Sequence, residues 1–394
     1  MRRLLIVSTH PIQYHTPWYQ ALSQHPDIAL TVYFCHRASA QEQGAAGFGV
    51  NFEWDIPLLE GYRYEFLTNI AREPSIAHFN GLDTPEIFDR LRAERFDAVI
   101  VSGWNYKAAW QTFFACWSNR IPVMVRGDSH LHTRRNLPKR IAKYLFYRAF
   151  LSRMDAALAV GKWSSEYYAH YGVPKDRISV VPHVVDEDRF FHETSMFAGQ
   201  QAELRKLWNI DEDAVVFMFC GKLIEKKHPL DFIQAVLIAR QSNDHIVGLV
   251  VGDGPLRKAA EAATGPSRNT IVFAGFQNQS QLPSMYALSD VIVLPSNAEE
   301  TWGLVINEAM LSGLPAIVSD QVGCGPDLVI PGVTGSVFPI GDVEALAQLM
   351  VNYAEQPQKI RSMGANAQKH VLDHYSIRQA VNGVIESLEY VITR

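Results

Sequence analysis

The sequence predicts an α/β protein made of two Rossmann-like, doubly wound domains. Short apolar runs of the kind that form buried parallel strands recur along the chain. Segments with helical periodicity separate them, and this alternation is typical of helices packed on both faces of a parallel sheet. A polar, irregular stretch at 182–201 divides the alternation into two halves, and 394 residues are enough for two domains of ordinary size.

The first half, assigned to a domain of residues 1–190, begins with a strand and keeps the alternation throughout. We expect strands at 4–7, 28–34, 98–101, 121–125, 156–160 and 178–181, and helices at 18–24, 84–94, 107–117, 139–152 and 162–171. The stretch 44–60 is rich in glycine and aromatic residues and lacks clean periodicity. It is either an elaborated loop near a ligand-binding cleft or an ordinary surface insertion.

The second half, assigned to a domain of residues 191–376, repeats the pattern. We expect strands at 215–220, 246–251, 270–273, 291–294, 316–319 and 335–338. Gly252-Asp253-Gly254 follows one of these strands, but Pro255 comes next, so the G-x-G-x-x-G run of dinucleotide-binding enzymes is absent there. It is also absent after the first strand, which argues against an NAD- or FAD-dependent Rossmann enzyme.

The composition is that of a globular protein, with 47% hydrophobic and 20% charged residues. A formal net charge of −5 gives no reason to expect nucleic acid as a partner. The four cysteines are widely spaced without a C-x-x-C pair, which indicates buried thiols in a reducing compartment. The N-terminal apolar run is too short for a signal peptide, and no run approaches the roughly 18 residues of a membrane span. We therefore expect a cytoplasmic protein with, at most, peripheral membrane contact.

The most informative stretch is 300–310, where Glu300 and Glu308 stand eight positions apart around Gly303. It follows the apolar run at 291–294, so Glu300 lies in a strand-to-helix loop and Glu308 lies in the first turns of a helix. The amides of Trp302, Gly303 and Leu304 lie near the start of that helix, where free N–H groups and the helix dipole favour an anion. Carboxylates bind sugar hydroxyls, so the combination predicts a site for a sugar attached to a phosphate.

This stretch resembles the E-x7-E signature of the retaining glycosyltransferases of family 4, which have the GT-B fold of two domains facing each other across a cleft. Further segments match in the same order. Segment 219–227 resembles the phosphate loop, with Lys222 where arginine is usual; 251–256 resembles the next loop, 273–276 resembles the segment that meets the nucleobase, and 312–318 and 332–335 complete the pattern. The chain departs from the family at its first loop, which usually carries a Gly-rich turn and here reads S-T-H-P-I-Q-Y-H at 8–15. As in similar proteins, the last helix, within 377–394, is expected to return to the first domain.

The resemblance implies transfer of a hexose or N-acetylhexosamine from a nucleotide diphosphate sugar to an acceptor hydroxyl, with retention at the anomeric carbon. A UDP-sugar is favoured and a GDP-sugar comes next; the acceptor is a sugar, a lipid-linked sugar or a small molecule in glycan or glycoconjugate biosynthesis. The family mechanism is front-face attack, in which the leaving phosphate receives the acceptor's proton. Two alternatives remain open: a GT-B sugar-nucleotide epimerase, and a non-catalytic protein that binds nucleotide sugars.

The resemblance also assigns roles to residues of the second domain. Lys222 and Lys227 would neutralise the diphosphate, Glu300 would accept from the sugar ring, and Glu308 would accept from the ribose. The complete donor-binding set is Gly221, Lys222, Lys227, Gly252, Phe276, Glu300, Thr301, Trp302, Gly303, Leu304 and Glu308. The alternative for the lysines is a solvated basic run, because Glu225, Lys226 and His228 adjoin them.

We expect no cofactor and no metal requirement. Two D-x-D triplets, at 186–188 and 211–213, have a spelling that hard cations favour. Both lie in polar connecting regions without a companion histidine or third acid, and the lysines are available for the diphosphate. Solvated charge is the better interpretation of the triplets.

In the first domain, polar residues follow three of the expected strands. Ligands of open parallel sheets collect beyond the carboxyl ends of the strands, so these residues are candidates for the acceptor side. They are His10, Gln13, Trp104, Asn105 and Arg126, with His15 and Ser129 nearby. Asp128 and His130 are candidate catalytic residues, because they lie near the place where similar enzymes keep a functional histidine. A structural role is the alternative for each histidine.

The segment 139–153 is basic and amphipathic. At about 100° per residue, Lys139, Arg140, Lys143 and Arg153 share one arc with Phe146 and Phe150 inside it, while Ile141, Leu145 and Ala149 are expected to face the sheet. Aromatic rings among cations suit an anionic membrane surface. The alternative is a Rossmann helix with a solvated basic face.

Overall fold

A computed structural model of the chain describes residues 1–133, 137–197, 199–265 and 270–393. These residues form two compact units. The first unit consists of Met1–Glu42, Pro57–Val184 and Ser376–Arg394, and the second consists of Gln43–Ile56 and Val185–Tyr375.

The first unit is built on a parallel sheet of seven strands in the order β3-β2-β1-β4-β5-β6-β7. Its strands are β1 (Arg2–Ser8), β2 (Ile28–Phe34), β3 (Tyr64–Phe66), β4 (Ala98–Ser102), β5 (Val123–Gly127), β6 (Ala156–Ala159) and β7 (Ile178–Val180). The helices along this part of the chain are α1 (Thr16–Gln24), α2 (Ala40–Gln43), α3 (Glu86–Ala93), α4 (Lys107–Asn119), α5 (Leu137–Leu151) and α6 (Lys162–His170). The central strands consist of apolar residues buried on both faces, as a sheet covered by helices on both sides requires.

The second unit is built on a parallel sheet of six strands in the order β10-β9-β8-β11-β12-β13. Its strands are β8 (Val215–Cys220), β9 (Ile246–Val251), β10 (Ile271–Gly275), β11 (Val291–Leu294), β12 (Ala316–Ser319) and β13 (Gly335–Phe338). Its helices are α7 (Glu187–Met196), α8 (Gln201–Leu207), α9 (Pro229–Ser242), α10 (Arg257–Ala263), α11 (Leu282–Leu288), α12 (Val305–Leu311), α13 (Gly325–Leu328), α14 (Val343–Ala354) and α15 (Pro357–His374).

Each sheet has a point at which the strand order changes direction. It lies between β1 and β4 in the first unit and between β8 and β11 in the second. In open parallel sheets, ligands bind outside the carboxyl ends of the strands at this point. The loops that follow β8 and β11 therefore start side by side, and these loops contain the lysines and glutamates singled out above.

The last helix, α16 (Ile377–Ile392), packs on the first unit against α1 and β7. Its apolar face, which includes Ala380, Val384 and Leu388, is buried in the first unit's core. Gly383 allows the closest approach, because a Cβ atom there would lie 2.2 Å from the carbonyl oxygen of Val180. Although it comes last in sequence, this helix completes the first unit.

Three features differ from the sequence-based expectation. The stretch 182–201 is not irregular, because α7 begins within it: Asp186 is the N-cap and accepts a hydrogen bond from the Arg189 amide at 3.0 Å. The boundary between the units consequently lies at 184/185 rather than 190/191. Strand β3, a three-residue edge strand beside β2, was not expected. Segment 43–56, assigned to the first domain, belongs to the second unit.

Candidate functional site

The loops that follow β8 and β9 pack backbone against backbone. Gly221 and Gly252 both have positive φ angles, of 150° and 128°. A Cβ atom on Gly252 would lie 2.0 Å from the carbonyl oxygen of Gly221, so only glycine fits there. This close approach fixes the turn from which Lys222 and Lys227 project.

Lys227 and Glu300 form a buried ion pair between the loops that follow β8 and β11. The Lys227 Nζ lies 2.5 Å from the Glu300 Oε2, and the side chains are 12% and 11% exposed. Burial acts to raise the pKa of Glu300, but the neighbouring Lys227 and Lys226 charges hold that pKa below its usual value. The carboxylate is therefore ionised at neutral pH and positions the Lys227 ammonium.

Lys222 loses its positive charge at a lower pH than an ordinary lysine does. Burial, together with the neighbouring charges of Lys226 and Lys227, lowers the pKa of Lys222 to about 8. Lys222, Lys226 and Lys227 thus gather near the carboxylate of Glu300. An excess of positive charge held in a half-buried position attracts an anion such as a diphosphate.

The loop that leads into α12 is rigidly packed. The indole N–H of Trp302 donates to the Asn307 Oδ1 at 2.9 Å, and both side chains are buried. The ring of Trp302 is therefore a core group, and its backbone carbonyl accepts a hydrogen bond from the Cys324 amide at 3.0 Å. Gly303 has a φ of 100°, and a Cβ there would lie 2.8 Å from the side chain of Leu294. Thr301 and Leu304 complete the connection before α12 begins at Val305.

Glu308 lies on α12 and is buried, with only 1% of its surface exposed. Its Oε2 accepts a hydrogen bond from the Tyr286 hydroxyl at 2.7 Å. Tyr286, on α11, thus fixes the orientation of this carboxylate. Sequence reasoning missed Tyr286, because it stands in an apolar helical segment without a motif of its own.

Phe276 follows β10 and contacts two aromatic residues from segment 43–56. The ring centroids of Phe276 and Phe52 are 4.5 Å apart, and those of Phe276 and Phe48 are 5.8 Å apart. The Gly-rich, aromatic stretch singled out in the sequence therefore packs beside candidate donor residues of the second unit.

In the first unit, Arg126 is buried and holds backbone in place. Its guanidinium donates to the carbonyl oxygens of Val181 and Pro182, at 3.3 and 3.0 Å, and lies 5.1 Å from the ring of Trp18. Burial lowers the pKa of Arg126. These contacts make Arg126 a support for the loop after β7.

Asp128, which follows β5, is close to His183, which follows β7. The two side chains approach to 3.9 Å, and Asp128 is the more exposed, at 40%. His183 was missed from the sequence because its stretch was taken as an irregular linker. The signal available was a polar residue directly after a strand, as at the other strand ends. His130 is buried, and its Nδ1 accepts from the His132 amide at 3.2 Å.

The remaining acceptor-side candidates have different surroundings. His10 is half-buried beside Thr9, and burial, with the charge of His36, lowers the pKa of His10 to about 4. Gln13 is buried, whereas Asn105 is exposed. Trp104 is buried in the core, where its indole N–H donates to the Tyr147 hydroxyl at 3.1 Å within an aromatic cluster.

A cavity of about 660 Å³ lies at the opposite edge of the second sheet, near the amino ends of β8 and β11. Arg205 lines it, but its guanidinium is used internally: it donates to the carbonyl oxygens of Leu288 and Ala214 and pairs with Asp290 at 2.7 Å. Tyr286, whose hydroxyl bonds Glu308, also lines this cavity, so the cavity lies on the far side of Tyr286 from the carboxylate. Arg205 itself serves the packing of α8.

Two further findings concern the part of the chain that the structure describes. None of its helices is both long enough and apolar enough to cross a membrane. Within the same residues, no group of three or more His, Cys, Asp or Glu side chains is arranged to hold a metal ion. The triplet at 186–188 serves α7 instead, since Asp186 caps the helix and the next two acids lie in its first turn.

The fold and this arrangement correspond to known proteins. The structure of Anabaena Alr3699/HepE in complex with UDP superposes with a TM-score of 0.73 at 18% identity, covering 99% of this chain and 100% of that chain. The alpha-D-kanosaminyltransferase of Streptomyces kanamyceticus is 28% identical over 184 residues, which are 46% of this chain and 47% of the relative. The lipopolysaccharide 1,2-N-acetylglucosaminetransferase of Salmonella typhimurium is 28% identical over 190 residues, 46% of this chain and 48% of that relative. The matches therefore span about half the length of these curated relatives.

Two parallel α/β sheets with the strand orders described above define a protein of the GT-B class. Family models cover most of the chain: the one described as Glycosyl transferases group 1 matches residues 200–370, and the one described as Glycosyltransferase Family 4 matches residues 53–189. The chain belongs to this family of glycosyltransferases, as its motifs predicted.

Proposed function

We propose that this protein transfers a hexose or N-acetylhexosamine from a nucleotide diphosphate sugar to an acceptor hydroxyl, with retention of anomeric configuration. The observation that carries the proposal is the cluster of Lys222, Lys227 and Glu300 beyond the carboxyl ends of β8 and β11. It combines excess positive charge with a sugar-compatible carboxylate at the point of the sheet where ligands bind. The family match supports the same reaction class.

The donor roles follow from this arrangement. Lys222 and Lys227 neutralise the diphosphate as negative charge grows on the leaving group. Glu300, held by Lys227, accepts from hydroxyls of the transferred sugar, and Glu308, oriented by Tyr286, accepts from the ribose. A UDP-sugar is the first candidate donor, because the similar Anabaena structure was obtained with UDP, and a GDP-sugar is the second.

The acceptor is presented by the first unit in this proposal. Asp128 and His183, which follow the two strands on either side of β6, are the groups best placed to contact a hydroxyl, with His10 beside β1 as a neutral partner. The acceptor class is a sugar, a lipid-linked sugar or a small molecule. The saccharide-transferring relative from Salmonella, whose name refers to lipopolysaccharide, supports a glycoconjugate.

We further propose a cytoplasmic location with reversible attachment to an anionic membrane face through α5. Its exposed residues include Leu137, Ile141, Leu145 and Phe146, flanked by the exposed cations Lys139 and Arg140. This differs from the expected arrangement, in which Ile141, Leu145 and Ala149 faced the sheet and Phe150 lay among the cations. Phe150 is buried, and the Lys143 ammonium packs 5.0 Å from the Tyr167 ring. The apolar ridge and the cations thus share the outer surface, as an interfacial helix requires.

A thermal-shift panel of nucleotide sugars and free nucleotides tests the donor. A ligand at about 100 times its Kd adds roughly 2.7 kcal/mol to the stability of the unit that binds it. We expect one nucleotide series, UDP or GDP, to raise the melting temperature, and the matching sugar nucleotide to be turned over only when an acceptor is added. Conversion of the donor alone to an epimer would instead identify an epimerase, and binding without any turnover would identify a binding protein.

We propose that the reaction needs no metal, since the lysines supply the positive charge for the diphosphate. Activity should persist after dialysis against excess EDTA. Loss of activity that Mg²⁺ or Mn²⁺ restores would overturn this part of the proposal.

A further inference from the structure

We infer that segment 43–56, named here the strap, forms a second wall of the nucleotide site, in which Phe48 positions Lys222 and Phe52 backs Phe276. The inference deepens the proposed function and rests on it, since it needs the Lys222 side of the second unit to bind a diphosphate. The strap lies between α2 and β3 in sequence, yet it belongs to the second unit.

Polar contacts hold the strap on the second unit. The Asn278 side-chain amide donates to the backbone carbonyl of Glu53 at 2.7 Å. The Ser280 hydroxyl donates to the Asp55 carboxylate at 2.5 Å. Both acceptors are 225 residues away in sequence from their donors, so the contacts are tertiary and specific. They attach the carboxyl-terminal part of the strap to Asn278 and Ser280, which closely follow the candidate nucleobase residue Phe276 in the chain.

A short π-helix, Gly44–Phe48, ends in a Gly-Phe-Gly turn at 47–49 that covers the phosphate loop. Gly47 and Gly49 have φ angles of 99° and 76°, which disfavour other residues. A Cβ atom on Gly47 would lie 3.5 Å from the Lys222 side chain, and one on Gly49 would lie 3.2 Å from the Gly254 amide nitrogen. The turn therefore lies directly on the loops that follow β8 and β9.

Phe48, at the centre of the turn, faces the Lys222 ammonium at 4.3 Å from its ring centroid. A cation at this distance from an aromatic face is attracted to it, and the ring also removes water from one side of the charge. The charged groups around the ammonium are Lys226 and Lys227, which repel it, and Glu300, which attracts it. Phe48 is thus a positioning residue that acts through Lys222.

The strap supplies glycines that the first loop of the chain lacks. The first loop, at 8–15, contains no glycine, whereas the strap has glycines on both sides of Phe48. Phe52, which is buried against Phe276, closes the other end of the same wall.

The test compares wild type with Phe48→Ala, Phe48→Tyr, Phe52→Ala and the control Phe191→Ala, an exposed phenylalanine on α7. Isothermal titration with inorganic pyrophosphate probes the phosphate end alone, and titration with UDP and GDP adds the base. Phe48→Ala should weaken binding of both pyrophosphate and nucleotide by about threefold, the size of a lost cation–π contact. Phe48→Tyr should restore it. Phe52→Ala should spare pyrophosphate and weaken nucleotide on the order of tenfold, as loss of a packed aromatic pair predicts.

The pH profile of pyrophosphate binding shows whether Phe48 acts on Lys222 or only stabilises the fold. Because the Phe48 ring both attracts the Lys222 ammonium and excludes water from it, Phe48→Ala should shift the pH at which binding is lost on the alkaline side, whereas Phe191→Ala should not. Thermal melts establish that each variant is folded.

Unchanged affinities and an unchanged pH dependence of binding in folded strap variants would overturn the inference while leaving the proposed function intact. Tighter nucleotide binding would also overturn it, because the strap would then occlude the site. Failure of wild type to bind pyrophosphate, UDP or GDP would instead remove the proposed function.

Discussion

Lys222 is the residue of the site whose charge is most sensitive to pH near neutrality, because burial and two neighbouring lysines lower its pKa to about 8. A diphosphate binds the protonated form, so the affinity should fall as pH rises through 8. Binding should also draw a proton onto Lys222, since a nearby anion raises a lysine pKa. At pH 9, about one Lys222 side chain in ten keeps its proton in the free protein.

We predict net proton uptake when UDP or GDP binds at pH 8.5, measured by calorimetry in two buffers of different ionisation enthalpy. Lys222→Arg should bind without this uptake, because arginine keeps its charge at this pH. Lys258→Ala, at an exposed position on α10, is the control and should behave as wild type. Equal uptake in wild type and Lys222→Arg would assign the proton to another group.

The two lysines should also matter for turnover. Lys222→Ala and Lys227→Ala should each raise the barrier by roughly 2.7–4 kcal/mol, by analogy with the loss of one oxyanion donor. Single-turnover rates at saturating donor measure this directly. Near-normal turnover in both variants would refute their assignment to the leaving group.

Substitution of the two glutamates should affect different steps, because we assign Glu308 to the ribose and Glu300 to the transferred sugar. Glu308 is oriented by Tyr286 within the core, whereas Glu300 is held at the end of the loop by Lys227. Glu308→Gln should weaken binding of free nucleotide as well as donor, because both contain ribose. Glu300→Gln should reduce transfer far more than it changes the affinity for free nucleotide, which it alters only through Lys227. Calorimetry with the bare nucleotide separates them, and an equal loss in both variants would contradict this division.

At the scale of elements, the buried strands were the most predictable part of the fold. Strand β9 and the first four residues of β4 contain no polar side chain and are buried, and burial on both faces favours a strand in the interior of a parallel sheet. Helix α5 was predicted in place but not in orientation, because apolar residues occur all round it. The ring of Phe150 and the stem of Lys143 took the inner positions. The rings of Tyr147, Tyr167 and Tyr171 surround the Lys143 ammonium and turn that side of the helix inward. The sequence alone does not show this packing, so it could not show which face of α5 is exposed.

The same limit applies to the site. The glutamates and lysines follow recognisable strands within one half of the sequence, so their proximity followed from the order of the parallel strands. The strap has no periodicity, and its partners are 225 residues away, so no local pattern indicated where it packs. Arg126 and Trp104 follow strands as ligand-binding residues do, and only their hydrogen bonds show that they support the core.

Helix α5 provides the prediction at this scale. Co-sedimentation with vesicles should rise with anionic lipid and fall with salt. Lys139→Glu with Arg140→Glu should lose about 2 kcal/mol or more of attraction, since each cation near the surface contributes about 1 kcal/mol. Ile141→Glu with Leu145→Glu should also abolish binding by placing charge on the apolar ridge.

The matched control for these variants is Ile238→Glu, at a partly exposed apolar position on α9 of the second unit, which should bind vesicles as wild type does. Activity on a soluble acceptor should persist in all of them. If the wild-type protein does not bind anionic vesicles at low salt, the outer face of α5 is only solvated, and a soluble acceptor is favoured.

On the scale of the whole molecule, chain order and structural unit diverge twice. The strap leaves the first half of the sequence to join the second unit, and α16 follows the second unit in sequence but completes the first. Each unit has its own apolar core, and the Leu388 side chain on α16 is fully buried in the core of the first. Stability and donor binding should therefore respond separately to mutation.

Leu388→Ala makes this separation measurable. Removing a fully buried leucine costs about 2–5 kcal/mol, so the variant should lower the unfolding temperature of the first unit. The candidate donor residues all belong to the second unit, so saturating UDP or GDP should raise the transition of that unit alone, by the same amount in wild type and variant. Differential scanning calorimetry with and without nucleotide gives both quantities, and nucleotide affinity should be unchanged.

Leu372→Ala, at a partly exposed position on α15, serves as the control and should shift neither transition by more than a small amount. If Leu388→Ala weakened nucleotide binding at a temperature where the protein is folded, α16 would contribute to the donor site as well as to the core.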